Sequence, residues 1–221
     1  MAERTALIVI DMQRDFCAAG GYAAQAGLDV TRLTSVVSNI SLLLDAARQA
    51  QLLVLHTREG HVPDLSDCPP QKMARSIHAG AAIGSVGPMG RLLVRGEYGH
   101  DIIDELSPLP EETVIDKPGY GAFYQTALQE ILQDHEIDTL ILCGVTTEVC
   151  VHSTLREAVD RGYNCIVVGD ACAASNPALQ QPALDMIAVE GGIFGSVATA
   201  AAIAATIYPV TNTTEKTAYA N

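Results

Sequence analysis

Apolar runs of strand length alternate along the chain with stretches of helical periodicity. Ala6–Ile10 is a continuous apolar run that stops at Asp11, and Leu52–Leu55 is another that stops at His56 and Thr57. Thr113–Ile115 leads into Asp116 and Lys117, Thr139–Cys143 into Gly144, and Cys165–Val168 into Gly169 and Asp170. Around these runs the apolar spacing predicts helices over about Thr31–Gln49, Phe123–Asp134, Thr147–Arg161, Pro177–Glu190 and Ser196–Ile207. Strands apolar on both faces, joined by helices, predict a doubly wound α/β fold, a mainly parallel sheet with helices on both faces. In such sheets ligands bind beyond the carboxyl ends of the strands, near the point where strand order switches. That rule selects Asp11, His56 to Arg58, Lys117, Gly144 to Cys150 and Asp170.

The stretch from Arg58 to Arg95 is the least regular, broken by Pro63, Pro69, Pro70, Gly80, Gly84, Gly87, Pro88 and Gly90. A long irregular segment leaving the active edge reads as a lid or an oligomer arm. No internal repeat or linker divides the chain, so one domain is expected over residues 1–221. The tail from about residue 209, ending TNTTEKTAYAN, is polar and expected to be loose. With 48% hydrophobic and 18% charged residues among 221, the composition suits a single sizeable core.

A formal net charge of −13 excludes nucleic acid and anionic membranes as partners, since neither gains counterion release or surface attraction. No stretch approaches the roughly 20 apolar residues that cross a bilayer. The start, MAERTALIVIDMQ, places charge before only five apolar residues, too few for a signal-peptide core. A cytoplasmic location is expected. In a reducing compartment the six cysteines are not a disulfide framework. Cys143, Cys150, Cys165 and Cys172 contain no C-x-x-C, a poor spacing for zinc, and Cys143 and Cys165 read as core residues.

The usual α/β signatures are missing. No G-x-G-x-x-G follows the first strand, and there is no G-x-x-x-x-G-K-[ST] phosphate loop and no G-x-S-x-G elbow. That removes the support for a flavin or nucleotide binder. Cys150 instead falls in the first turn of the helix predicted from Thr147, with Thr146 or Thr147 as N-cap. Unpaired N–H groups at a helix start favour a thiolate and can hold an oxyanion; a buried structural cysteine is the plain alternative. Asp11 alone reads as a surface carboxylate or cap, and Lys117, before Pro118, as a solvated turn lysine. Together they place a base, a cation and a thiol at the ends of three different strands.

The segments ALIVIDMQRDF, VIDKPGYGAFYQT and LCGVTTEVCVHSTLREAVDRGY resemble the isochorismatase-like cysteine hydrolase superfamily, from about Ala6 to Ile207. The resemblance implies the α/β fold and an Asp-Lys-Cys triad of Asp11, Lys117 and Cys150. It also implies a cis peptide before Thr146 that turns N–H groups toward the substrate oxygen, and a homo-oligomer, dimer or tetramer. HTREGHVPDLSDCPP, GRLLVRGEYGHDIIDEL and TTEVCVHSTLREA are similar to the branch that hydrolyses small ureides such as biuret and triuret. The nicotinamidase branch carries an Asp-x-His metal motif after the second strand. Here the segment reads Arg58-Glu59-Gly60-His61, with the aspartate replaced and no second nearby histidine, so no metal and no cofactor is expected.

The implied reaction is cleavage of a C–N bond in a small neutral ureide of triuret or biuret type, releasing ammonia through a thioester. Asp11 takes the thiol proton, Cys150 attacks, Lys117 keeps Asp11 ionised, and the Thr146 and Cys150 N–H groups form the oxyanion hole. Phe16 and Tyr120 are expected as pocket walls. Glu190 is expected to accept substrate N–H groups and to repel anionic acids. Other small amides remain open as substrates: maleamate, ureidoacrylate, N-carbamoyl compounds and nicotinamide. So does a non-catalytic small-molecule binder on the same scaffold.

Overall fold

The strands in chain order are β1 (Thr5–Ile10), β2 (Leu53–Glu59), β3 (Val86–Gly87), β4 (Gly90–Arg91), β5 (Thr113–Lys117), β6 (Thr139–Val145), β7 (Asn164–Ala173) and β8 (Ser196–Ala198). This computed structural model describes residues 4–208, and the tail expected to be loose lies outside the described residues. Six strands form one sheet in the order β5-β2-β1-β6-β7-β8, every neighbouring pair parallel. β3 and β4 make a separate antiparallel hairpin inside the irregular segment. The chain builds outward from β1 on one side, then crosses to β6 on the other. The switch in strand order therefore falls between β1 and β6, and the two are tightly apposed there. Ile10 pairs with Gly144, whose φ is +119°, and a Cβ at Gly144 would overlap the Ile10 carbonyl oxygen.

Burial follows from that order. β1 is buried at all six residues, as a central strand covered on both faces must be. The helices are α1 (Arg14–Cys17), α2 (Tyr22–Gln25), α3 (Val30–Thr34), α4 (Val37–Gln49), α5 (Pro70–His78), α6 (Leu128–Asp134), α7 (His152–Asp160), α8 (Pro177–Ile187), the short turn α9 (Val189–Gly192) and α10 (Ala200–Ile207). α4 and α10 pack on each other, and each, like α7, packs against β7.

The differences from the sequence pattern have local causes. The helix predicted over Thr31–Gln49 is two helices. Thr34 and Ser35 hydroxyls bond back to the Val30, Thr31 and Arg32 carbonyls and end α3, which Asp29 caps. The one predicted from Phe123 starts only at Leu128, because the Ala122 and Phe123 N–H groups donate to Thr154 Oγ1 and a Glu157 carboxylate on α7. The stretch predicted as helix from Ser196 begins as β8, three residues long at the sheet edge, too short and too exposed to show an alternation. β2 and β5 run past their apolar cores, β2 through Glu59 and β5 through Lys117.

Three histidines are shut inside this fold. His56, His61 and His100 are at most 1% exposed, and burial is the main influence that lowers each below the usual imidazole value, His100 to about 4. His100 lies directly beneath Gly60, where any Cβ would strike its ring. The unfolded chain protonates such a histidine below pH about 6.5 while the fold keeps it neutral, so acid favours unfolding. Between pH 6.5 and 4, His100 alone is expected to cost up to about 3 kcal/mol of stability. Denaturant melts across that range should show a shallower loss for His100→Gln than for the wild type. An unchanged slope would refute the assignment.

Candidate active site

Asp11 is the first residue beyond β1, in the left-handed region at φ 52°, which aspartate enters more readily than most residues. Its N–H donates to the Thr57 carbonyl at 3.1 Å, and Thr57 Oγ1 donates to Asp11 Oδ1 at 2.6 Å. Lys117 ends β5, two strands away across β2, and its register partner on β2 is Glu59. Two inter-strand spacings are roughly 9.6 Å, which only a long side chain spans. The Lys117 ammonium, fully buried, reaches within 2.8 Å of Asp11 Oδ2 and donates to the Gly119 and Tyr120 carbonyls at 3.0 and 2.9 Å. Two carbonyl acceptors and one carboxylate thus surround the ammonium.

Cys150 approaches from the other side of the switch. β6 ends in a cis Val145–Thr146 peptide, and Thr146 caps a π-helical turn, Thr147–Val151, that runs into α7. Such turns recur at functional sites. The N-cap position is as predicted, but no side chain caps it; Thr147 Oγ1 donates instead to Gln180 Oε1 at 2.9 Å. Cys150 is 4% exposed, and its S–H donates to Glu59 Oε2 at 3.3 Å. The structure thus brings Asp11, Lys117 and Cys150 together from the ends of β1, β5 and β6.

Two further charged groups join them that the sequence reading did not single out. Glu59, the last residue of β2, lies 3.6 Å from Lys117 Nζ and 2.6 Å from the ammonium of Lys72 on α5. The signal was available: Leu55, Thr57 and Glu59 alternate along one face if the strand is carried past its apolar core. The cluster holds two ammonium groups, two carboxylates and one thiol. With all four charged groups ionised it is neutral and the thiol keeps its proton. A thiolate adds no net charge only when Asp11 takes that proton.

The environments of the two carboxylates differ accordingly. Burial pushes the Asp11 carboxyl above the usual carboxylate range, against the pull of Lys117 and with Glu59 adding to the rise. Burial would raise Glu59 too, but Lys72 and Lys117 hold it at about 2. Burial works against the Lys117 cation, yet Asp11, Cys150 and Glu59 leave it raised. Paired carboxylates driven apart in this way mark a proton carrier and a fixed anion. The helix start does not produce a standing thiolate. Burial raises the Cys150 thiol well above its ordinary value, Lys117 opposes this, and Asp11 and Glu59 reinforce it. Desolvation in the buried site outweighs the pull of Lys117, so the thiol needs a base.

Asp11, Glu59 and Cys150 place donor atoms within 4.8 Å of one another, a spacing a metal ion could use. Lys117 already sits among them and supplies the positive charge these donors require.

The thiol faces a cavity of about 360 Å³. Phe16 and Tyr120, the expected walls, both line it, and Phe16 meets Tyr22 edge-to-face at 5.9 Å. The irregular segment supplies another wall through Lys72, Arg75 and Ser76 of α5. Glu190 is corrected: it stands exposed in α9 at φ 52°, outside the cavity lining. α8 stops at Ile187, and the turn through Glu190 and Gly191 carries that side chain away to the sheet edge leading to β8.

Comparison with known proteins agrees with this fold. The isochorismatase domain family matches residues 5–202. The ureidoacrylate amidohydrolase RutB of Methylorubrum extorquens is 37% identical over 210 residues, covering 93% of this chain and 84% of that protein. The crystal structure of a cysteine hydrolase from Pseudomonas syringae pv. phaseolicola 1448A superposes with a TM-score of 0.79 at 32% identity, over 94% of this chain and 93% of that one. N-carbamoylsarcosine amidase from Thermoplasma acidophilum gives 0.69 at 27%, over 89% and 96%. With the family matched over nearly the whole described chain and the relatives similar over most of their length, this chain belongs to the isochorismatase family, within which it is an amidohydrolase.

Proposed function

We propose that the protein hydrolyses a small linear ureide or amide to an acid and ammonia through a thioester on Cys150. The observation that carries this reading is the buried thiol at the cavity floor, flanked by Asp11 and Lys117. The S–H proton passes to Asp11, and sulfur attacks the carbonyl carbon. The Thr146 and Cys150 backbone N–H groups at the start of the π turn receive the oxyanion. Asp11 returns its proton to nitrogen as the C–N bond breaks and ammonia leaves. Water then attacks the thioester, giving one proton through Asp11 back to sulfur as the acid departs. Lys117 stays charged throughout and steadies Asp11 in its ionised form.

Within this class an anionic ureido acid fits better than neutral triuret or biuret. The expected repulsion of anionic acids rested on Glu190, which is outside the cavity. At the cavity mouth stands Arg75, exposed and with no hydrogen-bond or ion-pair partner among the described residues, while the charges of Glu59 and Lys72 cancel. A guanidinium there can hold a substrate carboxylate through two parallel bonds. The similar proteins named above act on ureidoacrylate and N-carbamoylsarcosine, both carbamoyl compounds of acids.

Ammonia release should be compared across ureidoacrylate, maleamate, triuret and biuret. The acids are expected to lead, and Arg75→Ala should cut their kcat/KM about tenfold, about 1.4 kcal/mol, with little change for triuret. Triuret as the best substrate, or an Arg75→Ala variant indifferent to the acids, would return the neutral reading.

A further inference from the structure

Asp11, Lys117 and Cys150 account for the proton and the nucleophile, yet a second carboxylate is buried against the same sulfur. Glu59 is 4% exposed. Its Oε2 accepts the Cys150 S–H at 3.3 Å, and its Oε1 lies 2.6 Å from Lys72 Nζ. Lys72 is also buried and donates to the Pro118 carbonyl at 2.6 Å, with its ammonium 5.0 Å from the centre of the Tyr120 ring. Both Glu59 and Lys72 line the cavity. As a stabilising device such a pair is poor, because desolvation offsets the attraction and apolar replacements often do as well. Its place beside the reacting atom points to chemistry.

On the amidohydrolase reading above, we propose that Glu59 is a further catalytic residue, a fixed anion that accepts an N–H of the scissile amide nitrogen once Cys150 has surrendered its proton. In the resting site Oε2 is occupied by the S–H. When that bond breaks and an O–H forms on Asp11, the Glu59 oxygen loses its donor and faces a thiolate. A carbonyl carbon placed for attack lies about 3–3.5 Å from sulfur, which brings its amide nitrogen within reach of the same oxygen. The substrate N–H then takes the position the thiol proton left. Hydrogen bonds to a full carboxylate are among the stronger ones. This one strengthens as nitrogen receives the proton from Asp11 and gains positive character, so it favours the transition state over the bound substrate.

Lys72 supplies the counter-charge that keeps Glu59 ionised, leaving Asp11 as the only proton carrier. The arrangement selects for nitrogen. An amide or ureide nitrogen bearing hydrogen satisfies Glu59, whereas the alkoxy oxygen of an ester of equal shape turns lone pairs toward a buried anion.

The test uses maleamate and monomethyl maleate, which share an acyl group and a free carboxylate. The ratio of kcat/KM for amide over ester is measured in wild type, Glu59→Gln and Glu59→Gln/Lys72→Met. The double variant removes both buried charges together, and a ratio taken within one preparation does not depend on the folded fraction. The ratio is expected to fall about 30-fold in both variants, within the range for losing one charge-assisted hydrogen bond. A ratio unchanged from wild type, whether both rates hold or both fall in step, would overturn the proposal and leave Glu59 a structural anion. Cys150→Ser in the same assay separates this result from the broader reading. Amide hydrolysis by Cys150→Ser at the wild-type rate would reject the thioester route itself.

Discussion

Cys150→Ser is expected to remain folded and to lose about four orders of magnitude in amide hydrolysis, the scale seen when an activated nucleophile is removed. Folding should survive because the change removes little volume from a side chain that already borders the cavity, and serine can still donate toward Glu59. Activity should not. A serine hydroxyl is far less acidic than a thiol, and Asp11, even with its carboxyl raised by burial, is a weak base for it. The cluster also tolerates a thiolate only by shifting one proton to Asp11, and an alkoxide asks for a much costlier shift. Steady-state ammonia release, set beside a thermal melt, checks both halves. Turnover within tenfold of wild type would mean that the sulfur forms no covalent intermediate.

Asp11→Asn is expected to cost about three to four orders of magnitude in kcat/KM. Asparagine is the informative replacement because it tolerates the left-handed backbone at φ 52°, which alanine does not. It can still accept from Thr57 Oγ1, so the shape of the site is kept while the proton acceptor is lost. The substitution also strips Lys117 of the carboxylate 2.8 Å away, leaving a fully buried cation with Glu59 at 3.6 Å as its remaining partner. A destabilisation of about 3 kcal/mol is expected for breaking such a pair. Asp11→Asn/Cys150→Ser should be no slower than the slower single variant, since each residue works only through the other. Losses that multiply would place one of the two outside the reaction.

Apolar runs and helical periods were enough to predict a parallel sheet with helices on both faces, because both signals come from local burial. The site rule then followed from the fold, and Asp11, Lys117 and Cys150 were visible because each directly follows an apolar strand core or opens a helix. Phe16 and Tyr120 could be nominated for the same reason, as neighbours of those strand ends. β8 could not be, since three edge residues carry no periodicity. Glu190 was misread because a C-terminal helix signal says where a helix stops and nothing about which way the next turn points.

Glu59, Lys72 and Arg75 belong to the tertiary structure alone. Glu59 is a polar residue past the end of an apolar run, and Lys72 and Arg75 sit on a helix within a segment whose sequence reads as irregular. Only packing folds α5 over the ends of β2 and β5, takes Glu59 and Lys72 out of water as a pair, and sets Arg75 at the mouth. The protonation of the site was decided there as well. A helix start favours a thiolate when read by itself, but burial with Asp11 and Glu59 close by raises the Cys150 thiol and holds its proton in place. Sequence position could nominate Cys150 as a candidate, because strand ends and helix starts are local. The charge state of its thiol is a sum over groups from β1, β2, β5 and α5 that only the folded chain brings within a few ångströms.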